Sequence, residues 1–102
     1  MRTEQHIDSV ESRLARIRGI VQGVGFREAC IGQARALGVT GWVRNRTDGS
    51  VELMVQGSPE QLAQMCAWLR NGVPSAVVDT LEVNALRSPV DRLDQFERLP
   101  TV

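Results

Sequence analysis

One change of period between residues 13 and 37 constrains this chain more than any other feature. From Arg13 to Ile20 the residues alternate as in a β-strand, with Ala15, Ile17, Gly19 and Val21 on one face and Arg16 and Arg18 on the other. From Phe26 onward the apolar residues recur at helical spacing: Phe26, Cys30, Ala34 and Leu37. Glu28, Gln33 and Arg35 fall off that stripe, and Gly38 stands where a helix C-cap is expected. Between the two periods lies Gly19-Ile20-Val21-Gln22-Gly23-Val24-Gly25-Phe26-Arg27, three glycines in nine residues ending on an arginine. A strand, a glycine-rich turn and a helix start are the parts of an anion site. Glycines let successive backbone N–H groups turn toward one point, and the helix N-terminus adds its own unpaired N–H groups. Arg27 would add a planar fork suited to phosphate oxygens. The pattern alone leaves a second reading open, a tight turn followed by a surface arginine.

The rest of the chain repeats the theme. Thr40 to Arg46 reads as a second strand, Thr47-Asp48-Gly49 as a turn and Ser50 to Gln56 as a third strand, so a hairpin is expected. Val51, Leu53 and Val55 point one way, and Glu52, Met54 and Gln56 the other. Ser58-Pro59-Glu60-Gln61 is a helix start, with Ser58 as cap, Pro59 in the first turn and Gln61 completing a capping box. Leu62, Met65, Cys66 and Leu69 form the buried stripe of that helix, and Asn71-Gly72 ends it. Ala76 to Leu86 is a fourth strand whose two apolar phases require a bulge near Asp79-Thr80. A polar connection with Pro89 follows, and Phe96 and Leu99 anchor a short last strand along an edge. The order β-α-β-β-α-β plus a short C-terminal strand predicts the α+β, ferredoxin-like split βαβ sandwich: an antiparallel sheet with two helices on one face. Residues 1–12 are polar and aperiodic and are expected to form a flexible tail; residues 13–102 form the domain.

Composition narrows the chemistry. The 102 residues suffice for one domain, and the formal net charge is zero, which argues against a broad nucleic-acid surface. All twelve basic residues are arginine, so there is no lysine for a Schiff base or a phosphate-loop lysine. Two cysteines make no disulfide framework; both are expected to face the core from adjacent helices as unpaired thiols in a reducing compartment. No apolar run approaches a membrane span. The only histidine, His6, sits in the expected tail, which weakens any histidine mechanism.

Specific motifs then fall away. The dinucleotide fingerprint starts at Gly23 and Gly25 but meets Glu28 where its third glycine belongs. Cys30 and Arg35 have four residues between them where a cysteine-phosphatase loop needs five. No cluster has metal spacing. Glu52 and Glu60 read as solvated carboxylates. The aromatics Phe26, Trp42, Trp68 and Phe96 leave the first and third strands without a base-stacking platform. What survives is an anion cradle that works by electrostatic positioning, plus one polar residue to hold water. Asn45 is a candidate for that second task, although its residue type also suits turn initiation before Thr47-Asp48-Gly49.

Two ordered motifs carry a resemblance. Gly19-x-Val21-Gln22-Gly23-Val24-x-Phe26-Arg27 is followed by Ala34-x-x-Leu37-Gly38-Val39-x-Gly41-Trp42-Val43-x-Asn45-x-x-Asp48-Gly49-x-Val51-Glu52. Together they closely resemble the acylphosphatase family, from about Arg13 to the fourth strand, and Phe96 looks like the family's last-strand aromatic. The resemblance implies a small cytoplasmic, metal-independent hydrolase without a cofactor; strand edges could pair two copies, but with no interface signature a monomer is expected. Its substrate would be an acyl phosphate, with inorganic phosphate or other anions as product or inhibitor and no nucleic-acid or membrane partner. Matching positions imply that Arg27 and the backbone N–H groups of Gln22, Gly23, Val24, Gly25 and Phe26 bind the phosphoryl group, and that Asn45 orients the attacking water. Ala29, Cys30 and Arg46 depart from residues common in relatives, which bears on the rim of the site and on substrate preference. Two other classes fit the fold. One is a non-catalytic anion-binding module of the same fold; the N-terminal domain of the large hydrogenase maturation protein also resembles this family but is joined to much more chain. The other is a structural domain, which would leave the loop and Arg27 without a purpose. The presence of both Arg27 and Asn45 favours the enzyme.

Overall fold

The computed structural model describes residues 10–87 and 90–102. Five strands, β1 (Glu11–Ile20), β2 (Thr40–Asn45), β3 (Val51–Gly57), β4 (Val77–Ala85) and β5 (Phe96–Arg98), form one sheet in the order β4-β1-β3-β2-β5. Helices α1 (Phe26–Leu37) and α2 (Pro59–Asn71) complete the expected element order. β1 starts two residues before the expected Arg13, and the Ser12 hydroxyl accepts a hydrogen bond from Gln56, so Glu11 and Ser12 belong to the domain. Residues 1–9, including His6, lie outside the described residues.

The sheet is mixed, where a purely antiparallel one was expected. β1–β3, β1–β4 and β2–β3 pair antiparallel, whereas β5 lies parallel to β2. The reason is where β4 ends. It runs against β1 and finishes at the end of the sheet where β1 and β2 begin. The chain crosses that end and must start β5 in the direction of β2. Backbone bonds mark the crossing: Leu86 N–H to the Ser12 carbonyl at 2.8 Å, and Gly41 N–H to the Gln95 carbonyl at 2.9 Å. The Gln56 side chain fastens its middle, donating to the Asp91 carbonyl at 2.7 Å and accepting from Leu93 N–H at 2.8 Å. Gln56 is buried and fully engaged, as a buried amide must be.

The core lies between the sheet and the helices. Ala15, Ile17, Val43, Val51, Leu53 and Val55 meet Phe26, Cys30 and Ala34 of α1 and Leu62, Met65 and Leu69 of α2. α2 begins with the capping box read from the sequence: Ser58 accepts from Gln61 N–H at 3.1 Å, and Gln61 accepts from Ser58 N–H at 2.8 Å. The same Gln61 donates to the Leu37 carbonyl at 2.9 Å, tying the end of α1 to the start of α2. The bulge is also where the two apolar phases require it. Arg18 pairs with Thr80 and Gly19 with Val78, leaving Asp79 as the extra residue.

Glu52 corrects the expectation of a solvated carboxylate. All seven residues of β3 are buried, and Glu52 is only 4% exposed. β3 is central, and on the face without helices long arginines arch over it. Arg44 (2.8 Å), Arg46 (3.1 Å) and Arg16 (3.2 Å) all reach the Glu52 carboxylate, and the Arg44 guanidinium lies 4.7 Å from the Trp42 ring centre. Burial would push the Glu52 carboxyl up, but the bonds from Arg44, Arg16 and Arg46 outweigh it and hold it below its ordinary 4.5. A group held down in this way stabilises the fold at pH values above its unfolded value and loses that contribution as pH falls below it. Glu52→Gln is expected to cost about 2–3 kcal/mol at neutral pH, because it strands three guanidinium groups over the central strand. Urea unfolding of parent and variant checks this: the difference should shrink as pH drops below 4.5, and a pH-independent difference would contradict it.

Candidate active site

The loop from Val21 to Gly25 is fixed at both ends by burial and turned outward between them. Val21 and Phe26 are 1% and 2% exposed and plug into the core, while Gly23 and Gly25 are exposed. Both glycines are left-handed, at φ 76° and 78°. A Cβ at either would meet nothing within 4 Å, so backbone conformation requires glycine there and crowding does not. Gly25 is also the N-cap of α1 and supplies no side-chain cap. The first bond of the helix runs from Ala29 N–H to the Gly25 carbonyl at 3.1 Å. The N–H groups of Phe26, Arg27 and Glu28 therefore have no partner from the helix itself, and they share its positive end.

Two contacts hold the loop from opposite sides. The Val24 carbonyl accepts from the Ser75 hydroxyl at 2.8 Å, which turns that carbonyl away toward the α2–β4 connection. The Gln22 amide donates to the Arg46 and Ser50 carbonyls, both at 2.9 Å, joining the loop to the β2–β3 turn. That turn is stiff. Asp48 accepts from Ser50 N–H at 2.9 Å and from its hydroxyl at 2.6 Å, and these bonds hold the Asp48 carboxyl down at about 2.

A hollow of about 150 Å³ opens at the loop, lined by Val21, Gly23, Gly25, Phe26, Arg27, Glu28 and Arg98. Arg27 is half-buried in its wall. Among the described residues no carboxylate pairs with Arg27; the adjacent Glu28 is taken by Arg98 at 3.2 Å. Asn45 does not line this hollow. It closes β2, two residues along from Val43, whose register partner is Arg98. Its side-chain oxygen is buried and has no hydrogen-bond partner among the described residues. Its backbone is held at the sheet edge, the carbonyl accepting from Val102 N–H at 3.2 Å. The Gln22 contact brings the loop to Arg46, the residue after Asn45.

Arg98 and Ser75 were not singled out in the sequence. Arg98 had a signal, since it stands two residues after the buried Phe96 and so shares its face; Ser75 had none. A larger hollow of about 450 Å³ lies at the other end of β2, lined by Arg35, Gly38, Val39, Thr40, Asp94, Gln95 and Phe96. Its arginine is engaged by the Phe96 carbonyl at 3.3 Å. Among the described residues no three His, Cys, Asp or Glu side chains gather as a metal site would need.

The cysteines differ from each other. Cys30 is buried, and burial pushes its thiol up to about 12. Cys66 is half-buried where a core position was expected, because it sits at the edge of the α2 stripe. Neither is paired. A thiol reagent at neutral pH should therefore modify one cysteine per folded chain and two in denaturant; rapid modification of both in the native state would contradict the placement of Cys30.

Comparison with known proteins is consistent along the chain. The family model Acylphosphatase matches residues 14–98. The chain is 56% identical to "Acylphosphatase 1" of Ralstonia nicotianae over 102 residues, 100% of each. Among solved structures, an acylphosphatase from Coxiella burnetii superimposes with a TM-score of 0.85 at 30% identity, covering 93% of this chain and 98% of that one. A full-length HypF, in a phosphate- and nucleotide-bound form, superimposes with a TM-score of 0.82 at 26% identity, covering 90% of this chain and 12% of its own.

Proposed function

This chain belongs to the acylphosphatase family and hydrolyses acyl phosphates, and we propose that Arg27, the Gln22–Phe26 backbone and Asn45 carry the reaction. The phosphoryl group of the substrate sits in the loop. The N–H groups of Gln22, Gly23, Val24, Gly25 and Phe26 and the guanidinium of Arg27 surround its oxygens. Asn45 accepts a hydrogen bond from a water molecule and aims it at phosphorus. The water oxygen bonds to phosphorus, the bond from phosphorus to the acyl oxygen breaks, and the carboxylate leaves. The proton of the water passes to a phosphoryl oxygen of the substrate. A mixed anhydride needs no strong base, because the carboxylate is already a good leaving group. Inorganic phosphate, the second product, would compete for the same cradle.

The observation that supports Asn45 most directly is its buried, unpartnered side-chain oxygen. A buried acceptor without a partner is costly, and a water in the site would satisfy it. For Arg27 the support is the absence of a competing carboxylate among the described residues, beside a helix start with free N–H groups. Among the described residues no helix is long and apolar enough to cross a membrane. We propose a cytoplasmic enzyme acting as a monomer, its domain beginning with β1 at Glu11.

Hydrolysis of benzoyl phosphate in the presence of a metal chelator tests the reading, with Arg27→Ala and Asn45→Ala alongside. Asn45→Ala should lower kcat about a hundredfold, the usual effect of removing one well-aimed group. Arg27→Ala should lower kcat/KM further, because binding and transition-state contacts are lost together. A folded parent that binds phosphate without turnover would overturn the enzyme and leave an anion-binding module.

A further inference from the structure

The Gln22 side chain is the one direct side-chain link between the phosphate loop and the turn that follows Asn45 among the described residues. Its single NH2 group spends both donors on carbonyls at 2.9 Å, those of Arg46 and Ser50. Both carbonyls are already used once within the turn. Arg46 N–H donates to the Ser50 carbonyl at 2.9 Å, and Gly49 N–H donates to the Arg46 carbonyl at 3.0 Å. The amide thus docks onto the closure of the turn, at its two ends. The turn is braced from within by Asp48 and Ser50, and Ser50 is 1% exposed. A rigid receiver and a two-pronged donor make a clamp with little freedom in length or angle. Asn45 lies one residue before Arg46, so the clamp sets how far its amide stands from the loop.

We propose that the Gln22 side chain is a positioning residue, which places Asn45 against the phosphate loop and touches neither substrate nor water itself. This rests on the reading that Asn45 orients the attacking water. The consequence is specific. Without the clamp the loop keeps its glycines, its buried anchors Val21 and Phe26, its Ser75 contact and Arg27, so phosphate binding persists. The water-orienting amide loses its fixed distance, and misplacement of about 1 Å can slow a reaction as much as a hundredfold.

A double-mutant cycle tests the proposal. Gln22→Met keeps the side chain's length and removes both donors without adding charge; Gln22→Leu removes them in a shorter side chain, should the first variant fold poorly. Each is made in the parent and in the Asn45→Ala background, and kcat for benzoyl phosphate and inhibition by inorganic phosphate are measured. In the parent background kcat should fall about tenfold or more, while phosphate inhibition changes less than about threefold. In the Asn45→Ala background the same substitution should change kcat by less than about twofold, because the group it positions is gone. Equal slowing in both backgrounds, loss of phosphate inhibition in step with kcat, or no slowing at all would overturn the role of Gln22. Full activity of Asn45→Ala alone would overturn the water-orienting reading, and the role of Gln22 with it.

Discussion

The structure turns on a run of backbone N–H groups at the start of α1 that neither the helix nor a side-chain cap satisfies. Such groups normally find partners within the helix, in a side-chain cap or in water. Here Gly25 offers no cap, and Gly23 and Gly25 hold left-handed conformations that other residues adopt with strain. Glycine takes these conformations without steric strain, at the cost of a freer chain that must be anchored. Val21 and Phe26 supply the anchors: each end of the loop is a buried apolar side chain, worth roughly 2 kcal/mol on burial. Ser75 and Gln22 then fix the loop laterally through hydrogen bonds. The sheet, in this view, is the rigid body against which an otherwise costly loop is held.

The same economy governs charge. Twelve arginines and twelve carboxylates balance to zero, so the chain has no broad field with which to attract an anion. Attraction must be local, and it depends on which arginines are already taken. Arg16, Arg44 and Arg46 converge on Glu52, Arg18 faces Asp48, Arg13 pairs with Glu11, and Arg98 holds Glu28. Among the described residues Arg27, like Arg35, Arg70, Arg87 and Arg92, pairs with no carboxylate. What distinguishes Arg27 is its place, since it alone of these lines the hollow at the loop, beside the helix N-terminus.

Features encoded by neighbours in sequence were legible. The capping box at Ser58–Gln61, the bulge at Asp79 and the hairpin turn at Thr47–Gly49 follow from local rules that the tertiary structure did not override. Features set by distant chain segments were not. The parallel pairing of β5 depends on the end at which β4 stops. The burial of Glu52 depends on three arginines from two other strands and the turn arching over it, and a glutamate in an alternating strand carries no mark of that. The site divides the same way. The glycines and Arg27 announce a cradle through their spacing. Asn45 reads as a turn residue until a family resemblance points to it, because its unpartnered oxygen is a property of the folded edge. The use of the Gln22 side chain, as opposed to its backbone, is likewise invisible before the hairpin turn is brought beside the loop.

The central claim, that an anion is held by the loop's backbone N–H groups together with Arg27, is tested most directly by titrating inorganic phosphate while following every backbone amide and the asparagine side chains by NMR. The account predicts saturable shifts concentrated at residues 22–27 and at the Asn45 side chain, lost in Arg27→Ala. Shifts centred on Arg35 and Thr40, or on the arginines around Glu52, would contradict it.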